Sequence, residues 1–82
     1  MPIKKITIDP KEYEKLEKWR LVSQYEKAKW YILSWNYVSV DFKKRKPYKS
    51  EKWYFRLNDQ YRAYGYIFWE ELRIFHIDDH KR

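Results

Sequence analysis

The sequence predicts an α+β domain in the order βαα-βββ, an antiparallel sheet of about four strands packed against a helical hairpin. Three observations carry this expectation. Apolar residues recur at helical spacing in a stretch from residue 11 to residue 35 that holds no glycine or proline. Period-two alternation runs from Trp53 to Leu57. Aromatic, β-favouring segments after it are separated by turn chemistry at Asn58-Asp59 and Glu70-Glu71. With 82 residues, the chain is expected to be a single domain, residues 1–82, around one small core.

The elements follow in order. Ile3 to Ile8 is β-branched and alternates with Lys4, Lys5 and Thr7, as a first strand does. Asp9, Pro10 and Glu12 then form a helix start, with an N-cap acceptor, a proline at the first helical position and a capping-box partner. Tyr13, Leu16 and Arg20 would share one face of this helix. A straight helix over residues 11–35 would measure roughly 37 Å, too long for a domain with a radius of gyration of about 12 Å. A break is therefore expected, and Ser23 with Glu26 offers a second capping box to restart on. Leu21, Tyr25, Ala28, Ile32 and Trp35 would make the buried stripe of the second helix. Val38 and Val40 read as a strand that feeds a basic loop, Lys43 to Lys46, ending at Pro47. In the strand from Trp53, residues Trp53, Phe55 and Leu57 face opposite to Tyr54 and Arg56. Tyr61 to Trp69 suits a central strand covered on both sides, and Leu72 to Ile77 a last strand that delivers Asp78, Asp79 and His80.

Composition limits how such a domain is stabilised and what it binds. No cysteine is present, which excludes a disulfide framework and cysteine-ligated zinc, while 5 Trp, 9 Tyr and 4 Phe point to an aromatic core. Two histidines and scattered acids lack metal-ligand spacing, so no metal and no cofactor is expected. Lys and Arg outnumber Asp and Glu by 19 to 12, a formal charge of +7, as in proteins with a polyanionic partner. No apolar run is long enough to span a bilayer or serve as a signal peptide, so a cytoplasmic protein without a membrane partner is expected.

The stretch Trp53-Tyr-Phe-Arg-Leu-Asn-Asp-Gln-Tyr-Arg62, the aromatic strand and hairpin after it, and Ile77-Asp-Asp-His80 resemble the HigB-like branch of the RelE toxin superfamily. Val40-Asp41-Phe42-Lys43-Lys44 is similar to that family's basic loop. The resemblance covers roughly residues 38–82. It implies a RelE-like, microbial-RNase-like fold and the toxin of a type II toxin–antitoxin pair. Such a toxin is a ribosome-dependent, metal-independent endoribonuclease that cuts mRNA, with a cognate antitoxin, mRNA and the ribosome as partners. On it, Arg62 matches the phosphate-binding arginine, Asp78 and His80 match the terminal acid and histidine, and Lys46 matches a backbone-contacting loop lysine. Asp79 stands where the family has tyrosine, Lys43 where some relatives have histidine, and Pro47 where glycine is usual.

Cleavage of this type deprotonates a 2′-hydroxyl, stabilises a phosphorane and protonates the leaving 5′-oxygen. His80 is the natural proton carrier, because imidazole changes charge near neutral pH. Asp78, or Asp79 in its place, would orient His80 or act as the base, and Arg62 would fork onto the phosphate. Without that resemblance, His80 reads as an idle terminal histidine, and Arg62 reads equally as a phosphate ligand or as a salt-bridge partner of Asp78 or Glu70. Lys43, Lys44, Arg45, Lys46, Lys49 and Lys52 form sequence-independent phosphate-binding material. Arg56 and Arg73 could join the same surface, and His76 reads as core or rim. Two other functions stay open: a catalytically degenerate RNA- or ribosome-binding module on the same scaffold, and a basic groove for an acidic, disordered protein partner.

Overall fold

The computed structural model describes residues 3–46 and 51–79. Strand β1 (Lys5–Ile8) leads into helices α1 (Pro10–Lys18) and α2 (Val22–Leu33), then strands β2 (Lys43–Lys44), β3 (Lys52–Arg56), β4 (Tyr61–Phe68) and β5 (Glu71–Asp79). The sheet order is β1-β5-β4-β3-β2. The α+β class and the helical hairpin agree with the sequence, and the radius of gyration is 11.7 Å. The sheet, however, is mixed and has five strands rather than an antiparallel four. β1 runs parallel to β5, pairing Lys5 with Glu71 through Ile8 with Ile74. The fifth strand is β2, inside the basic run read as loop, with Lys43 opposite Tyr54 and Lys44 opposite Trp53. Val38–Val40 is a 3-10 turn instead of a strand.

One core joins Leu16, Leu21, Tyr25, Ala28 and Ile32 of the helical layer to Ile6, Phe55, Ala63, Leu72, Ile74 and Ile77 of the sheet. The helices cover only this face. β4 is therefore open on its other side, where Tyr66 and Phe68 are exposed, contrary to the expectation of a strand covered on both sides.

The helix ends also differ from the sequence reading. α1 closes with the Leu21 N–H on the Leu16 carbonyl (2.7 Å) and the Arg20 N–H on that of Glu17 (3.2 Å), with Arg20 left-handed at φ 58°. This 6→1 and 5→2 pattern usually uses glycine at the left-handed position. Arg20 is thus an exposed turn residue and not part of the buried face. α2 starts without a side-chain cap, and Ser23 donates to Gln24 instead of closing a box with Glu26. Its end repeats the same closure, Asn36 N–H to Tyr31 O at 2.8 Å with Trp35 at φ 63°, which turns Trp35 out to 66% exposure.

At the start of α1, Asp9 accepts from the Lys11 N–H as an N-cap should. Glu12 does not reach back to the Asp9 N–H, which bonds the Ile74 carbonyl at 3.0 Å. Instead Glu12 Oε1 accepts from the Ile77 N–H at 2.7 Å and from Lys15 Nζ at 2.8 Å. β1 ends opposite Ile74, so the carboxylate takes over the open edge of β5 where a strand would have continued. Burial alone would raise this carboxyl, but the hydrogen bonds from Lys15 and the Ile77 N–H, with the charges of Lys15 and His76, outweigh it and hold the Glu12 pKa below the ordinary value.

The chain's single glycine lies at a β-bulge. Tyr64 pairs with His76 but Gly65 pairs with Ile74, so Phe75 is an extra residue in β5. A Cβ on Gly65 would sit 2.6 Å from the Arg73 carbonyl oxygen. Gly65→Ala is expected to destabilise by about 1–3 kcal/mol, measured by chemical denaturation. A depressed folded-state pKa contributes stability that is present above the unfolded carboxylate range and lost as pH falls through the folded value. The stability gap between the parent and Glu12→Gln should accordingly be largest near neutral pH and shrink on acidification, as read by melts across a pH series.

Candidate nucleic-acid interface

The bulge decides what the open face of the sheet displays. Leu72 and Ile74 point into the core and Ile77 does so again after a step of three instead of two. Phe75 and His76 therefore both lie on the open face, and Asp78 joins them two residues on. There His76 stacks on Tyr64 (6.2 Å, 27°), and Phe75 on Tyr66 (4.7 Å, 22°). The sequence reading gave His76 as core or rim; its side chain is 45% exposed on the open face, next to the edge of β5 where Glu12 sits, and the spacing of Leu72, Ile74 and Ile77 was the signal that separates the two.

Lys43, Lys44, Arg45, Lys46, Tyr54, Arg62 and Tyr64 line an open depression of about 380 Å³. Its floor is aromatic. Tyr54 and Tyr64 are cross-strand partners with rings 5.7 Å apart, and Tyr64 is only 6% exposed. The Arg45 guanidinium lies 5.0 Å from the Tyr64 centroid and that of Arg62 5.2 Å from Tyr54. Each ring restrains a flexible cation and leaves its N–H groups available for an anion.

Ion pairing separates the predicted phosphate-binding residues. Lys43 contacts Asp41 (3.1 Å), Lys44 contacts Glu51 (3.7 Å), Arg56 contacts Asp59 (3.9 Å) and Arg73 contacts Glu71 (3.1 Å). Among the described residues no carboxylate lies within 4 Å of Arg45, Lys46 or Arg62. The alternative of a structural Arg62–Asp78 or Arg62–Glu70 salt bridge is not formed. Asp78 is the backbone partner of Arg62 but turns to His76 Nε2 at 3.5 Å, and Glu70 pairs with Lys4. Arg73 lies opposite Tyr66, four residues along β4 from Arg62 and so roughly 13 Å away. Arg56 also borders a larger hollow of about 500 Å³ between α2 and the β3–β4 turn, which no other predicted site residue lines.

The two terminal acids diverge. Asp78 shares the open face with His76, whereas Asp79, opposite Tyr61, accepts from Gln60 Nε2 at 3.0 Å. His76 is held from its other side by Glu12, 3.6 Å from Nδ1. His80, Lys49 and Pro47 lie outside the described residues. No group of three or more His, Cys, Asp or Glu that could hold a metal occurs among the described residues, and no helix there is long and apolar enough to cross a membrane.

If Arg62 serves a ligand and not the fold, Arg62→Ala should leave stability within about 0.5 kcal/mol of the parent. A thermal melt checks this, and a loss of several degrees would mark the residue as structural. No protein-family model matches the chain, and no curated protein matches it.

Proposed function

We propose that this protein is a RelE-like toxin, an endoribonuclease that grips messenger RNA on the open face of its sheet and cuts it at the ribosome. The observation that carries this reading is the pair of guanidiniums, Arg45 and Arg62, resting on Tyr64 and Tyr54 beside the depression with no carboxylate within 4 Å among the described residues. Two forked donors over one hollow suit a phosphodiester, and the surrounding lysines add attraction for neighbouring phosphates.

In the proposed reaction the 2′-oxygen bonds to phosphorus as its proton leaves to a base, and the P–O5′ bond breaks as an acid protonates the 5′-oxygen. Arg62 and Arg45 would stabilise the charge on the pentavalent phosphorus. Asp78 and His80 are the acid–base groups that the family resemblance suggests, and His76, paired with Asp78 at 3.5 Å, is a second imidazole on this face. An antitoxin with an acidic segment would neutralise the protein by covering the same cations.

One observation favours a second reading, an RNA- or ribosome-binding module without chemistry: Asp79 bonds Gln60 and does not join Asp78. Induction of the chain alone should arrest growth and leave primer-extension stops within translated messages, with Arg62→Ala lowering cleavage by at least about tenfold. Intact messages combined with salt-dependent RNA affinity would establish the binding module instead. Full toxicity of both Arg62→Ala and His80→Ala would overturn the site assignment.

A further inference from the structure

All four cation–π pairs among the described residues lie on the open face, yet they form two chemically different halves. Around Tyr54 and Tyr64 the cations are Arg45 and Arg62, with no carboxylate within 4 Å among the described residues, although Asp78 is the cross-strand neighbour of Arg62. At the other end, near the β4–β5 hairpin, Arg73 lies 4.7 Å from the Phe68 centroid but is paired with Glu71, and Lys52 lies 6.0 Å from Phe75. Thr7 donates to Glu71 at 2.7 Å, and this bond together with Arg73 holds the carboxyl below its usual pKa, so the acid stays charged beside the arginine. Between these cations lies exposed aromatic surface. Tyr66 is 41% exposed, Phe68 53% and Trp69 85%, with Phe75 stacked on Tyr66. Trp69 also holds φ 59°, a conformation costly for a bulky residue, and among the described aromatic rings packs, edge-on, against Phe68 alone. The row from Arg62 through Tyr64 and Tyr66 to Phe68 follows one face of β4 for roughly 20 Å.

We propose that Tyr66, Phe68 and Phe75 form a second subsite that stacks the unpaired bases of single-stranded RNA, a few nucleotides along from the phosphate held by Arg45 and Arg62. This rests on the reading of the depression as a phosphate site and adds a division of labour: charge at one end, stacking at the other. Duplex RNA cannot offer its bases to such a strip, so the subsite selects single strands.

Anisotropy titrations of labelled RNAs of about eight and about two nucleotides over a salt series test this. Phe68→Ala and Phe75→Ala should each weaken the long single strand about tenfold, with the short RNA, a duplex of the longer length and the salt slope unchanged. Arg45→Ala and Arg62→Ala should weaken both lengths and lower the slope by about one each. If the phenylalanine variants bind the long strand like the parent while the arginine variants lose it, the second subsite is wrong and the phosphate site stands. If the arginine variants also bind normally, the phosphate reading itself fails. A phenylalanine effect on binding to phosphatidylserine vesicles, with RNA affinity unchanged, would assign the aromatic strip to membranes and overturn the proposal.

Discussion

The close approach of β4 and β5 at Gly65 is the constraint on which the rest of the structure depends. Only a residue without a Cβ leaves room for the Arg73 carbonyl and for Ile74, and the extra Phe75 opposite reverses the phase of everything C-terminal to it. Were Phe75 paired in a regular ladder instead of bulged, strict alternation from Leu72 and Ile74 would send His76 and Asp78 into the core and Ile77 into solvent. Two polar groups would then be buried at a cost of several kcal/mol. With the bulge, Ile77 completes the core and its N–H faces the open edge where Glu12 waits. One insertion therefore sets the last core residue, the anchor of α1 and the imidazole of the open face.

The distribution of charge follows from the same geometry. Helices occupy one face, so the large aromatic residues pointing the other way must find cover among themselves or from the stems of long cations. Arg45, Arg62, Lys52 and Arg73 provide it, which keeps Tyr64 buried on a face without a second layer. Exposed salt bridges are worth little, so the pairing of Arg56 and Arg73 says less about stability than about field. It leaves Arg45 and Arg62 with no carboxylate within 4 Å among the described residues, with Arg56, paired to Asp59, directly opposite Arg62 in the sheet.

Fold class, the helical hairpin, strands β3 to β5 and the Asn58 turn were legible because hydrophobic period and turn chemistry agree there. The exact breaks were not, and glycine usage explains why. Left-handed positions usually advertise themselves as glycine, but here Arg20, Trp35, Asp41, Glu51 and Trp69 fill them and the chain's one glycine serves the bulge. A reader of Ser23 and Glu26 sees a capping box, while the break two residues earlier is made by backbone bonds around Arg20 that no side chain encodes. β2 escaped for another reason: two consecutive lysines pair as a strand only because Tyr54 and Trp53 present an unfilled edge. Of the site, Arg62 and the basic run were visible as charge. Their inequality was not drawn, although three of the four pairings behind it are local in the chain, Lys43 with Asp41, Arg56 with Asp59 and Arg73 with Glu71.

Glu12 ties that site to the core. Its carboxylate is only 13% exposed, holds the Ile77 N–H and lies 3.6 Å from His76, whose other nitrogen faces Asp78. Against the burial that would raise it, the hydrogen bonds from Lys15 and the Ile77 N–H and the charges of Lys15 and His76 keep this carboxyl below its ordinary pKa, which favours the anion that secures α1 to β5. The carboxylate that anchors α1 and the imidazole of the open face are thus neighbours 3.6 Å apart, both held by the one strand β5.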